Sequence, residues 1–189
     1  MIKKIENILI IDYGSQYTQL IARRIRELEV FCLVYPYHKI TNKLISDLNP
    51  SAFILSGGPK SVLDKNSPKL NSNILNLKKP ILSICYGMQL ITKTLNGKVT
   101  RSIHREYGHT LINIKKKSLI FSGIKNNKIK VWMSHGDNIK KIPNSFSISS
   151  ISDNNIISSI ENKKSKIYCL QFHPEVFHTD NGLKIIYNF

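Results

Sequence analysis

The first hundred residues alternate short apolar runs with segments of helical period, and that alternation limits the fold more than any other feature. Ile8 to Ile11 is a four-residue apolar run that reads as a buried strand. Tyr17, Leu20, Ile21, Ile25 and Leu28 then recur on one face of a helix. Val30 to Val34 reads as a second strand, Asn42 to Leu48 as a short helix, Ala52 to Leu55 as a third strand and Ile81 to Ile84 as a fourth. A helix from Tyr86 to Leu95 follows and stops at Asn96-Gly97. Strands that alternate with helices require a parallel sheet covered on both faces.

The second half has a different rhythm. Val99 to Arg101, Leu111 to Ile114, Lys130 to Met133, Ser147 to Ile151, Ile156 to Ile160 and Ile167 to Leu170 read as successive short strands. A last helix starts near Asp180. The expected architecture is therefore α/β: a three-layer αβα sandwich around a mostly parallel open sheet, with antiparallel strands added in the second half. No internal repeat or Pro/Gly/Ser linker divides the 189 residues, so a single domain over 1–189 is expected.

Charge and cysteine usage remove several function classes. The net charge of +16 resembles a nucleic-acid signal, but only five of the 28 basic residues are arginines: Arg23, Arg24, Arg26, Arg101 and Arg105. Phosphate-reading surfaces favour the planar arginine fork. Lys, Ile and Asn are also the residues of A/T-rich codons, so a genomic bias accounts for the excess and no specific nucleic-acid partner is expected. The Lys-rich stretch from Lys115 to Lys130 reads as an exposed turn. Cys32, Cys85 and Cys169 are odd in number and form no C-x-x-C pair, which excludes a disulfide framework and a zinc ribbon. Glu6 and Asp12 bracket an apolar run too short for an export signal, and no run reaches the roughly 20 residues of a membrane helix. A cytoplasmic chain without a membrane partner is expected.

Chemistry concentrates at two strand ends. Ser83-Ile-Cys85-Tyr-Gly87 falls where the fourth strand gives way to a helix, the setting of a nucleophile elbow. Such a turn lifts Cys85 above the sheet's carboxyl edge and points helix amides at its sulfur, which favours the thiolate. His173 in Gln171-Phe-His-Pro-Glu175 follows the last strand and is the candidate base, with Glu175 to orient its ring. The same His-x-Glu pair occurs in zinc deaminases, but the P-C-x-x-C they require is missing. Ser56-Gly57-Gly58-Pro59 after the third strand suits an oxyanion loop. A rival pyrophosphatase loop would continue with Asp-Ser, where this chain has Pro59-Lys60-Ser61, and no G-x-x-x-x-G-K-[ST] loop exists. On residues alone, Ser134-His135-Gly136-Asp137 fits a polar hairpin turn as well as it fits a binding segment.

Together these segments resemble the class I (triad) glutamine amidotransferases over nearly the whole chain. Asp12-Tyr-Gly-Ser-Gln-Tyr-Thr-Gln-Leu-Ile-Ala-Arg-Arg24, Cys85-Tyr-Gly-Met-Gln89, Arg105-Glu-Tyr-Gly108, Trp132-Met-Ser-His-Gly-Asp137 and Gln171-Phe-His-Pro-Glu-Val176 are similar to the branch whose ammonia converts xanthosine monophosphate to GMP. The resemblance implies Cys85 as nucleophile, His173 as base and later acid, and Glu175 as orienter. It implies an oxyanion hole from the amides of Gly58 and Tyr86. It implies that Gln89 and Ser134, His135, Gly136 and Asp137 hold the polar ends of L-glutamine, Asp137 suiting the ammonium group. No metal or organic cofactor is expected in this half. ATP and Mg²⁺ are expected only in an ATP-pyrophosphatase (synthetase) domain or subunit, the implied partner, which is absent from this chain together with a dimerisation domain. Arg23, Arg24 and an Arg105 to His109 loop are the candidates to meet that partner. One position departs from the family pattern: Ser83 stands where the elbow usually has Gly. A class I glutaminase serving another synthetase and a non-catalytic subunit keeping the fold are the open alternatives.

Overall fold

The computed structural model describes residues 6–115 and 118–189, without the side chains of residues 103–105. Five strands make the parallel half of one sheet: β1 (Asn7–Asp12), β2 (Phe31–Pro36), β3 (Ala52–Leu55), β4 (Ile81–Ile84) and β9 (Ile167–Leu170). The other four are β5 (Lys98–Ile114), β6 (Lys128–Lys141), β7 (Ser147–Ser152) and β8 (Ile157–Asn162). The order across the sheet is β2-β1-β3-β4-β9-β8-β7-β5-β6. Pairing is parallel from β2 through β9 and antiparallel from β9 through β6. β9, last strand in the chain, thus inserts at the centre and pairs in parallel with β4, Ile84 opposite Leu170.

The helices are α1 (Thr18–Glu27), α2 (Asn42–Leu48), α3 (Asn73–Asn76), α4 (Tyr86–Thr94) and α5 (Gly182–Asn188). They form layers on both faces of the sheet. Leu9 and Ile11 join Phe53 and Leu55 in a core shared with Ile45 of α2 and Met88 and Ile91 of α4. Ile10 points the other way and joins Ile54, Leu82 and Ile84 in a core shared with Ile21 and Ile25 of α1 and Ile185 and Ile186 of α5. Every residue of β3 and β4 is buried, which is why these strands read as unbroken apolar runs rather than alternations. α2 starts where the Thr41 side chain accepts from the Leu44 amide, and ends at Asn49 in the left-handed region, φ 39°.

The structure departs from the sequence reading in four places. The two short strands expected at Val99 and Leu111 are parts of one 17-residue strand, β5. Residues 105–109 are consequently strand and not a loop. Ser134 to Asp137 is not a hairpin turn either; it lies inside the 14-residue strand β6, paired with β5. Polar residues hide this arm because some of them face inward: Glu106 is buried and accepts hydrogen bonds from Ser152 and Asn154. In addition, α3 is a single turn and too short to carry a periodic signal. The Lys115 to Lys130 stretch is not simply the exposed turn expected: residues 116 and 117 lie outside the described residues, but Leu119–Phe121 is a 3-10 turn that buries Ile120 and Phe121 in the core, and Lys128 already belongs to β6. Among the described residues no helix is long and apolar enough to cross a membrane.

Candidate active site

Cys85 sits between β4 and α4 with φ 51° and ψ −106°, a conformation L-residues seldom adopt. Three backbone contacts hold it there. The Cys85 amide donates to Leu170 O at 2.7 Å, Gly87 N to Ser56 O at 3.2 Å and Gln89 N to Cys85 O at 3.2 Å. Gly87 is required by space: a Cβ there would lie 2.7 Å from Leu55 O and 2.8 Å from Leu55 Cβ. Ser83 needs no such clearance. Its hydroxyl is turned toward β9, donating to Tyr168 O at 3.3 Å and meeting Cys169 Sγ at 3.0 Å. The elbow therefore accepts the extra hydroxymethyl on the sheet side.

The parallel pairing of β4 with β9 brings both strand ends to one edge, and His173 meets Cys85 there. His173 Nδ1 is 2.7 Å from Glu175 Oε1, and His173 and Cys85 border the same small cavity. His173 and Glu175 are 3% and 0% exposed, so solvent does not compete for their contact. Burial disfavours the imidazolium, yet the Glu175 carboxylate and the Cys85 sulfur overcome it and hold His173 well above the ordinary value of 6.5. The loop is fixed from both sides. His173 N donates to Trp132 O at 3.0 Å, Thr179 Oγ1 donates to His173 O at 2.6 Å, and Thr179 Oγ1 accepts from Trp132 N at 3.0 Å. The sequence reading missed Thr179, which has no motif signature of its own.

Gly57 and Gly58 let the loop after β3 come against this pair. A Cβ on Gly57 would lie 3.1 Å from His173 Cε1, and one on Gly58 would lie 2.6 Å from Tyr13 O. Gly58 and Tyr86 both border a cavity of about 400 Å³ that opens at Cys85. The Tyr86 side chain is turned away, buried with its hydroxyl donating to Pro68 O, so the helix's first amide is what it offers the cavity.

The same cavity is bordered by Gln89, Ser134, His135, Gly136 and Asp137, so all the sequence-chosen binding residues converge. They do so in different ways. Ser134 O faces the thiol, with Cys85 Sγ donating at 3.4 Å. The Asp137 carboxylate accepts from Ser61 Oγ. Gln89 Nε2 is engaged within the protein, on Asp137 O at 3.1 Å and Gln171 Oε1 at 3.3 Å. His135 is buried between Asp137 O at 3.1 Å and Glu106 Oε2 at 3.2 Å, which makes it a brace of β6. Burial pushes the Glu106 carboxyl up, but its bonds to His135, Asn154 and Ser152 leave it below the usual range. Tyr107, from the Arg105 to His109 segment, also borders the cavity, as do Lys60, Ser61, Asp64 and Arg101, which the sequence reading did not choose as site residues. Only their proximity to chosen motifs could have suggested them. Among the described residues no group of three or more His, Cys, Asp or Glu side chains is placed to hold a metal ion.

Two of the three arginines of α1, Arg23 and Arg24, differ in setting. Arg23 is largely exposed and pairs with Glu27 at 3.0 Å. Arg24 is half-buried: its Nη1 pairs with the same Glu27 at 2.8 Å, while its Nε donates to Glu175 O at 3.1 Å and so ties α1 to the loop that carries His173.

Residues 9–189 match the family model described as glutamine amidotransferase class-I. Among curated relatives, the glutamine-hydrolysing GMP synthase of Brachyspira hyodysenteriae is 48% identical over 189 residues, covering 100% of this chain and 36% of that protein. The namesake of Petrotoga mobilis is 53% identical over 184 residues, covering 97% of this chain and 35% of that protein. The chain thus spans about a third of the length of these relatives. Among solved structures, a putative GMP synthase subunit from Thermoplasma acidophilum superposes with a TM-score of 0.81 at 29% identity, covering 97% of this chain and 92% of that one. A glutamine amidotransferase from Thermotoga maritima gives a TM-score of 0.74 at 20% identity over 91% of this chain and 77% of that one, a likeness of fold.

Proposed function

This chain belongs to the class I glutamine amidotransferases, and from that premise we propose that it hydrolyses L-glutamine to glutamate and ammonia through Cys85, His173 and Glu175. The observation that carries the reading is the strained elbow of Cys85 set beside a buried His173–Glu175 pair by the β4–β9 pairing.

The thiolate of Cys85 attacks the side-chain amide carbon of glutamine, and a C–S bond forms. The developing oxyanion is taken by the amides of Gly58 and Tyr86. Imidazolium His173 passes its proton to the amide nitrogen, the C–N bond breaks and ammonia departs. Neutral His173 then takes a proton from water, whose oxygen attacks the γ-glutamyl thioester, and glutamate leaves as the C–S bond breaks. Glu175 holds the Nδ1–H tautomer throughout and stabilises the charged ring. Asp137, freed from Ser61 or sharing it, suits the α-ammonium group of the substrate. Gln89 and His135 act by holding β6 in place.

The relatives' name supports a destination for the ammonia: amination of xanthosine monophosphate to GMP by an ATP-pyrophosphatase synthetase domain or subunit, where ATP and Mg²⁺ would act. The test of the glutaminase is acid-quench trapping of a γ-glutamyl thioester. A thioester on Cys85 that is lost in Cys85→Ala is the expected result. Glutamine turnover that persists in Cys85→Ala overturns the reading. For the pathway, addition of a bacterial GMP synthetase domain with ATP, Mg²⁺ and xanthosine monophosphate should raise glutaminase turnover. An unchanged rate argues for a different synthetase.

A further inference from the structure

Cys85 is flanked by two cavities. The first, described above, contains Gln89 and Asp137 and lacks His173. The second, of about 310 Å³, shares Gly58, Pro59, Cys85 and Ser134 with it, but its distinctive walls are Gly14, Ser15, Gln16, Tyr17 and His173. The nucleophile is therefore a partition, and the proton donor stands on only one side of it.

This asymmetry fixes the direction of the reaction, given the glutaminase reading on which the inference rests. Glutamine must put its charged α-carbon end among the polar groups of the first cavity. Its amide nitrogen must meet the His173 proton, because the C–N bond breaks only as that nitrogen is protonated. The amine consequently departs on the His173 side. We propose that the second cavity is the leaving-group site, which receives ammonia and admits the hydrolytic water, and that Tyr17 sets its size.

The wall is a built feature. Asp12 Oδ1 accepts from Gly14 N at 2.8 Å and from Thr18 Oγ1 at 2.7 Å, tying the loop to the end of β1 and the start of α1. Ser15 Oγ accepts from Tyr17 N at 3.1 Å. Gly14, with φ 92°, brings the loop against Pro59, so that a Cβ would touch Pro59 Cδ at 3.4 Å. The Tyr17 ring meets the His173 ring edge-on, centroids 5.1 Å apart and planes at 67°. Tyr17 is thus held against the proton donor and faces the departing group, with its exposure intermediate between core and solvent.

A leaving group larger than ammonia reports on that wall. The experiment compares kcat/KM for L-glutamine and for L-γ-glutamyl-4-nitroanilide in the wild-type chain, Tyr17→Ala, Tyr17→Trp and Tyr107→Ala. Folding of each variant is checked by circular dichroism. Tyr107 borders only the first cavity and is 63% exposed. Taking each ratio relative to wild type cancels the intrinsic lability of the anilide. The anilide-to-glutamine ratio should rise about tenfold in Tyr17→Ala, as expected when a pocket gains room for several carbon atoms, and fall in Tyr17→Trp. It should stay unchanged in Tyr107→Ala. A ratio unmoved by either Tyr17 variant, or moved instead by Tyr107→Ala, overturns the leaving-group assignment while glutamine turnover leaves the glutaminase reading intact. A wild-type chain that turns over neither substrate overturns the glutaminase reading itself.

Discussion

Arg24 on the first helix donates from Nε to the main-chain oxygen of Glu175 at 3.1 Å, joining residues 151 positions apart. Glu175 is fully buried and its Oε1 holds His173, so the guanidinium steadies the backbone on which the orienting carboxylate is mounted. Arg24→Ala should lower kcat for glutamine by about tenfold, the scale of one hydrogen bond from a charged donor, with KM little changed. Arg24→Lys should recover only part of the loss, because an ammonium cannot reproduce the planar geometry. Steady-state kinetics that show a KM effect alone would remove Arg24 from the positioning of the loop.

Cys85 combines reactivity with strain. Chloroketone or diazo analogues of glutamine should label Cys85 and spare the other two thiols. Burial raises Cys32, and complete burial pushes Cys169 up to about 12, so neither is ionised near neutrality. Peptide mapping of the labelled chain reads the outcome. Cys85→Gly should abolish turnover and yet raise stability by about 1 kcal/mol, because glycine adopts φ 51° freely. Thermal unfolding of Cys85→Gly beside Cys85→Ala separates the strain from the loss of the side chain.

The pH dependence follows from His173. Its folded value lies well above 6.5, so the protonated ring stabilises the native state fully below the unfolded value. That contribution is lost as pH rises through the folded value. Urea unfolding of wild type and His173→Gln should therefore converge on the alkaline side. The alkaline limb of kcat/KM should lie well above 6.5, where a free histidine would already be neutral. Glu175→Gln removes the carboxylate that sustains the charge, and should move that limb toward acid while the chain still folds. An unmoved limb would show that Glu175 does not govern the protonation of His173.

The elbow makes opposite demands at its two small residues. Gly87→Ala forces a methyl group to within 2.7 Å of Leu55 O, and should destabilise by about 1–3 kcal/mol. Ser83→Gly installs the residue usual in the family. It removes the hydroxyl's contacts to Tyr168 O and Cys169 Sγ and adds backbone freedom in a strand, so it should cost about 1 kcal/mol and leave kcat within about twofold. A large gain in kcat in Ser83→Gly would show that the serine slackens the turn.

Local patterning was sufficient for much of this molecule. The bounds of β3, β4, α2 and β9 agree with the runs Ala52 to Leu55, Ile81 to Ile84, Asn42 to Leu48 and Ile167 to Leu170. The reason is that period and run length report burial of a segment against its own face of the sheet. The elbow of Cys85 and the His173-Pro-Glu175 spacing were legible for the same reason, since each lies within a few residues of a strand end. The tertiary structure alone decided what meets what. Nothing local says that β9 enters beside β4, yet that one pairing makes Cys85 and His173 neighbours. Nothing local shows that Ser134 to Asp137 belongs to a long strand, because its register is fixed across the sheet by the buried Glu106 and His135 pair. Tyr17 against His173 and Arg24 beneath Glu175 are likewise contacts between distant segments. Sequence determined the pieces, whose stability is mostly a matter of near neighbours; the site exists because non-local strand pairing set their ends on one edge.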